Sequence, residues 1–296
     1  MSFTMKTGGL FPALLAFLPV MASAFDNALI EKASGLKGTF NEEEKVFKVT
    51  YPRGDLGVTV DDWKMPAFMG LTSWAAFSEG QKEAAMVMGD LVLLQDEVNP
   101  VMSTLLDSGL SVTALHNHFF YDEPKMYFMH ISGEGSAESL AKAVGAGFNK
   151  IKEIRAASPA RSFGGSIPAQ SSITPAPLIA LLGGKPQEKD GMVKFTIGRT
   201  AKMPCGCEIG KEMGVNTWAA FAGNDDNAVV DGDFACLESE LQKVLKSLRK
   251  GNIQIVAIHQ HMTLENPRYI FLHYWGRGKA VELAHALKSA LAEQEK

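Results

Sequence analysis

The sequence predicts an α+β protein made by tandem duplication of a ferredoxin-like strand-helix-hairpin-helix unit, with antiparallel sheets packed together and helices outside. Two observations predict it. The stretch from Gly89 to Phe148 lies without a gap on the stretch from Gly232 to Leu291, so one unit occurs twice. Within each copy, strand-like and helix-like periodicities then follow one another in the same order.

The repeat is dense in its matches. Gly89-Asp90 falls on Gly232-Asp233; Ala114, His116, His118, Pro124, His130, Gly133 and Gly135 fall on Ala257, His259, His261, Pro267, His273, Gly276 and Gly278. Upstream, with small gaps, Gly70 to Phe77 matches Gly214 to Phe221, including Trp74 and Trp218. The expected organisation is a signal peptide over 1–24, a first α+β repeat over 25–154, a linker over 155–175 rich in Ser, Ala, Gly and Pro, and a second repeat over 176–296.

Taking the first copy in order, Phe47 to Tyr51, Trp74 to Phe77 and the apolar run Ala84 to Leu94 read as strands. Val101, Met102, Leu105 and Leu106 form a helical stripe that stops at Gly109, as Leu241, Val244, Leu245 and Leu248 do before Gly251. Val112 to Phe120 and Met126 to Ser132 form a hairpin around Asp122-Glu123-Pro124, and a helix near Leu140 to Ile151 closes the copy. Such a half-sheet keeps one face free, and two copies are expected to cover each other there. Trp74 and Trp218 are expected in the core, with a place lining the pocket as the alternative.

Composition narrows the function classes. The chain of 296 residues is 46% apolar with a formal charge of −4, and its charges are interspersed, which gives no basic stripe for nucleic acid. Lys6, the short apolar run Leu10 to Met21 broken by Pro12 and Pro19, and Ala22-Ser23-Ala24 form an export signal cleaved near Ala24, which predicts a periplasmic protein with no integral membrane segment afterwards. Cys205, Cys207 and Cys236 are odd in number; pairing, plain burial and a soft-metal Cys-x-Cys site all stay open.

Six of the seven histidines occupy matched places, as His116, His118 and His130 and as His259, His261 and His273. Residues two apart on a strand share a face, and a turn centred on Glu123 sets His130 opposite His116. Three imidazoles on one face of a hairpin suit a tetrahedral divalent transition metal with one open position, zinc first and copper second. Asp122, Glu123 and Glu265 in the turns are candidates for a ligand or a catalytic base. Gly133 and Gly135, with Gly276 and Gly278, stand where backbone amides can hold an anion, although such glycines more often only turn the chain.

The segments Met88 to Met102, Ala114-Leu-His-Asn-His118 and His273-Tyr-Trp-Gly-Arg-Gly278 resemble the LppY/LpqO family of exported bacterial proteins, a duplicated domain of unknown function. The resemblance implies export, duplication and both histidine triads, and no settled activity. Some relatives look like lipoproteins, but this sequence has no Cys at the cleavage site. The expected function is metal binding, sensing or buffering, with a metal ion or small molecule as partner and the oligomeric state open. A hydrolase using metal-bound water and a metal-free binder of small ligands or cell-wall fragments are the alternatives.

Overall fold

The computed structural model describes Met1, 26–157 and 166–295; the rest of the expected signal segment lies outside the described residues. Twelve strands form one continuous sheet in which every neighbouring pair is antiparallel. From one edge the order is Gly38–Asn41, Val46–Pro52, Thr72–Glu79, Ala85–Leu94, Met126–Gly135 and Ser111–His116. It continues through Gln254–His259, Tyr269–Gly278, Ala228–Leu237, Asn216–Gly223, Met192–Gly198 and Gln187–Lys189. The second half is the first half rotated about the centre of the sheet.

This corrects the expected fold. The copies do not pack as two sheets face to face; they join edge to edge, with Leu115 paired to Ile258. Nor is the unit ferredoxin-like in its chain order, because four sheet strands precede the helix Gln95–Asp107 and no sheet strand of that half follows the helix Ala137–Ala157. The physical reason lies at the seam. Ser111–His116 and Gln254–His259 are edge strands of their own halves, and an unpaired edge leaves a row of backbone donors and acceptors. One helix of each half, Gln95–Asp107 and Leu241–Lys250, also sends an amide across the seam. Gln242 accepts from Val112 N at 2.9 Å and donates to Val112 O at 2.8 Å. Its counterpart Asn99 accepts from Ile255 N at 2.7 Å and donates to Ile255 O at 3.0 Å. Both pairs of bonds fall where the hairpin ladders shift register, between Val112 and Ala114 and between Ile255 and Ala257.

Strand alternation sorts the side chains. Val87, Leu91, Leu93, Met129 and Ile131 enter the large core under the helices, while Val92, Leu94, Met126 and Phe128 form a small cluster with Val58, Met65 and Leu71. The helices make one layer, running Asn27–Ser34, Ala137–Ala157, Gln95–Asp107, Leu241–Lys250, Ala280–Leu291 and Pro175–Leu182 by successive contact. The opposite face of the sheet, covered only in patches, carries the histidines.

Two ion pairs tie the chain just after Val46–Pro52 and Met192–Gly198 to the segments that open Gln95–Asp107 and Leu241–Lys250. Arg53 is 1% exposed and meets Glu97 at 2.8 Å, and Glu97 accepts from Leu94 N at 2.8 Å. In the second half Arg199 and Glu240 repeat the arrangement, with Glu240 accepting from Leu237 N at 2.8 Å. Glu97 thereby satisfies the donor at the start of its helix, whereas Glu240 satisfies the last amide of the strand Ala228–Leu237. The segment expected as a linker starts later than residue 155, since Arg155 to Ala157 continue the helix, and Ser172 bridges to Asn224 in the second half.

Candidate metal site

Two identical rows of cross-strand partners lay out the site. In the second half Trp218 lies opposite Asp233, Asp233 opposite His273, and His273 opposite Ala257. In the first half the row is Trp74, Asp90, His130 and Ala114. His130 is therefore opposite Ala114, two residues from the expected His116. A slip of two keeps every side chain on its face, so the triads survive it.

The strands end at His116 and His259, and His118 and His261 stand beyond them in the loops. The rings still gather. His116 lies 5.1 Å from both His118 and His130, centroid to centroid, and His259 lies 5.2 Å from His261 and 4.8 Å from His273. His118 stacks on Phe128 at 3.4 Å and His261 on Phe271 at 3.6 Å, which holds each loop imidazole over the sheet.

In the second half each Nδ1 faces a backbone carbonyl, His261 to Gly214 at 3.1 Å, His273 to Gly232 at 3.3 Å and His259 to Gln260 at 3.5 Å. A carbonyl only accepts, so these contacts favour the proton on Nδ1 and a lone pair on Nε2. His259 Nε2 is buried without a partner, and so is Oδ1 of Asp233, a residue 1% exposed. His261 Nε2 lies 3.0 Å from Asp233 Oδ2, which sets a lone pair against a carboxylate unless a proton or a cation stands between them. One ligand atom each from Asp233, His259 and His261 fits within 4.8 Å of the others. Burial holds His259 below the ordinary histidine range, with nearby Asp233 opposing the shift. His118 is also held down, by burial first and then by His116.

Asp90 and Asp233 are the site residues that sequence reasoning missed. The signal was present, as a carboxylate in the middle of an apolar strand at matched positions of both copies; Asp90 Oδ1 is likewise buried without a partner. The turn carboxylates have other work. Asp122 accepts from Met126 N at 2.6 Å, and Glu265, its counterpart, from Tyr269 N at 3.1 Å. Glu123 is exposed and pairs with Thr59 in a short three-stranded sheet. Gly133 and Gly276 prove to be packing notches, because a Cβ there would come within 2.7 Å of Leu110 or of Ile253. Trp74 and Trp218 are half-buried on the histidine face rather than core, each under a lysine, Lys48 at 4.4 Å and Lys194 at 4.3 Å. Cys205 and Cys207 are exposed, unpaired thiols, whereas Cys236 is buried, which pushes its thiol well above the usual range.

The sequence profile of a family described as Domain of Unknown Function (DUF1259) matches residues 28–150 and again 176–293. The chain belongs to this family. The two DUF1259 units coincide with the two halves of the sheet, and each contributes one aspartate-histidine row. No curated protein matches the chain. Among solved structures, a trimeric bacterial microcompartment shell protein, PduB, is similar at 10% identity and a TM-score of 0.23, over 86% of this chain and 89% of that one. At that score the likeness carries no argument. Among the described residues, no helix is long and apolar enough to cross a membrane.

Proposed function

We propose that this is a periplasmic metal-binding protein whose second half holds a divalent transition ion through His259, His261 and Asp233, with His273 beside them. The first half carries the related set His116, His118, His130 and Asp90. The observation that carries the reading is the pair of buried, unpartnered atoms His259 Nε2 and Asp233 Oδ1, beside a histidine whose Nδ1 meets a backbone carbonyl. Burying such atoms without a partner is costly, and a cation would satisfy both. An imidazole that donates its other N–H to a carbonyl is also the usual habit of a metal-bound histidine. Two imidazoles and one carboxylate suit zinc, with copper next.

Export rests on the Lys6 to Ala24 pattern, and the resemblance to the LppY/LpqO proteins supports it. Binding is favoured over hydrolysis because, of the three candidate proton carriers, Asp122 and Glu265 close turns through their backbone bonds and Glu123 is exposed in the short three-stranded sheet. Elemental analysis of the untagged protein purified from the periplasm tests the reading. Near-stoichiometric metal, lost in a His259→Ala, His261→Ala double variant, is the expected result. A protein that stays metal-free on reconstitution would overturn it.

A further inference from the structure

We infer that the second-half metal centre takes a small oxyanion, a carboxylate or a phosphate, whose oxygen atoms complete the ion's coordination while Lys194 neutralises its charge. The inference rests on the metal reading above. An open cleft of about 380 Å³ adjoins the site, and His261 forms part of its wall. That volume suits a small molecule. Lys194, Thr196, Asn216 and Trp218 line it from the sheet, and Lys211 and Gly214 from the turn above.

The register ties this cleft to the proposed ligands. Thr196 is opposite Trp218 and Trp218 opposite Asp233, so the lining side chains and the carboxylate ligand share one face. Gly214 lines the cleft and also accepts from His261. His261 therefore belongs both to the proposed ligand set and to the wall of the cleft that Trp218 lines.

Charge selects the ligand class. A divalent ion with two neutral imidazoles and one carboxylate keeps a net positive charge, and the Lys194 ammonium adds another. Lys211 is 3.2 Å from Glu212 and so contributes little net charge. An oxyanion is the complement, a carboxylate or a phosphate able to meet metal and ammonium together. The first half repeats this group of four, with Lys48 over Trp74, Thr50 opposite Trp74, and Trp74 opposite Asp90. Duplication has kept lysine, threonine, tryptophan and aspartate together in both halves, while Lys211 has no basic counterpart, the matching position being Ala67.

Cobalt-substituted protein tests this, because the visible absorption of Co(II) changes when an oxygen ligand enters. It is titrated separately with succinate and with inorganic phosphate, after its cobalt content has been measured. The expected result is a saturable spectral change with at least one anion. Affinity should fall about 10- to 100-fold in Lys194→Met and be largely kept in Lys194→Arg, the range of a lost charged hydrogen bond. Cobalt content and the anion-free spectrum should be unchanged in both variants. Full cobalt loading with no response to either anion, or equal affinity in Lys194→Met, would overturn the anion site and leave the metal reading standing. Failure to load cobalt would overturn both.

Discussion

Replacing Asp233 with Asn separates a ligand from a structural carboxylate, because the two roles predict opposite signs. Asp233 is 1% exposed, Oδ1 has no partner, and Oδ2 faces His261 Nε2 at 3.0 Å. Without metal, the carboxylate is a buried charge with an unsatisfied oxygen, a defect of about 1–3 kcal/mol. Asn keeps the shape, removes the charge and offers N–H donors to lone pairs nearby. The metal-free Asp233→Asn variant should therefore be more stable than the parent by about that amount. In a chain of this size each kcal/mol moves Tm by about 2–4 °C. With metal the order reverses. An ion at about 100 times its Kd stabilises the parent by about 2.7 kcal/mol, and the variant should lose most of that gain. Thermal unfolding of both proteins, after chelation and after zinc addition, reads all four values. A metal-free variant less stable than the parent, together with an undiminished zinc-induced shift, would refute the reasoning.

Two further outcomes follow from the same geometry. Burial holds His259 and His118 below the ordinary value near 6.5, so both resist protonation in the folded chain; metal binding should weaken as pH falls and these imidazoles take up protons, which metal titrations from pH 8 to pH 5 would show. The sign follows from the lowered values, since the unfolded chain takes up protons first and stability from neutral His259 is present above 6.5 and lost below it. At the seam, Gln242→Ala leaves Val112 N and O without their side-chain partner and should cost about 1–3 kcal/mol in urea unfolding, with Gln242→Glu restoring only the acceptor half.

Much of the local structure could be read from the chain. The duplication, the hairpin with its turn at Pro124, the helix stripe ending at Gly109 and the gathering of six imidazoles follow from spacing, because strand and helix periods are set by the residues themselves. The triads withstood a register error of two, since face depends only on parity. Asp90 and Asp233 give no periodic signal, only the match of a carboxylate in an apolar strand between the two copies, and the strands adjacent in the sheet are what place them beside His130 and His273.

By itself the sequence determined that one unit occurs twice and that each carries a His-x-His pair and a third histidine, since these are properties of a single segment or alignment. Only the tertiary structure decided that the halves meet edge to edge. That choice rests on the pairing of two edge strands and on Asn99 and Gln242 reaching across the seam, contacts between residues more than a hundred positions apart. Because the sheet is continuous, its helix-free face stays open, and the histidines lie along a surface rather than sealed between two sheets.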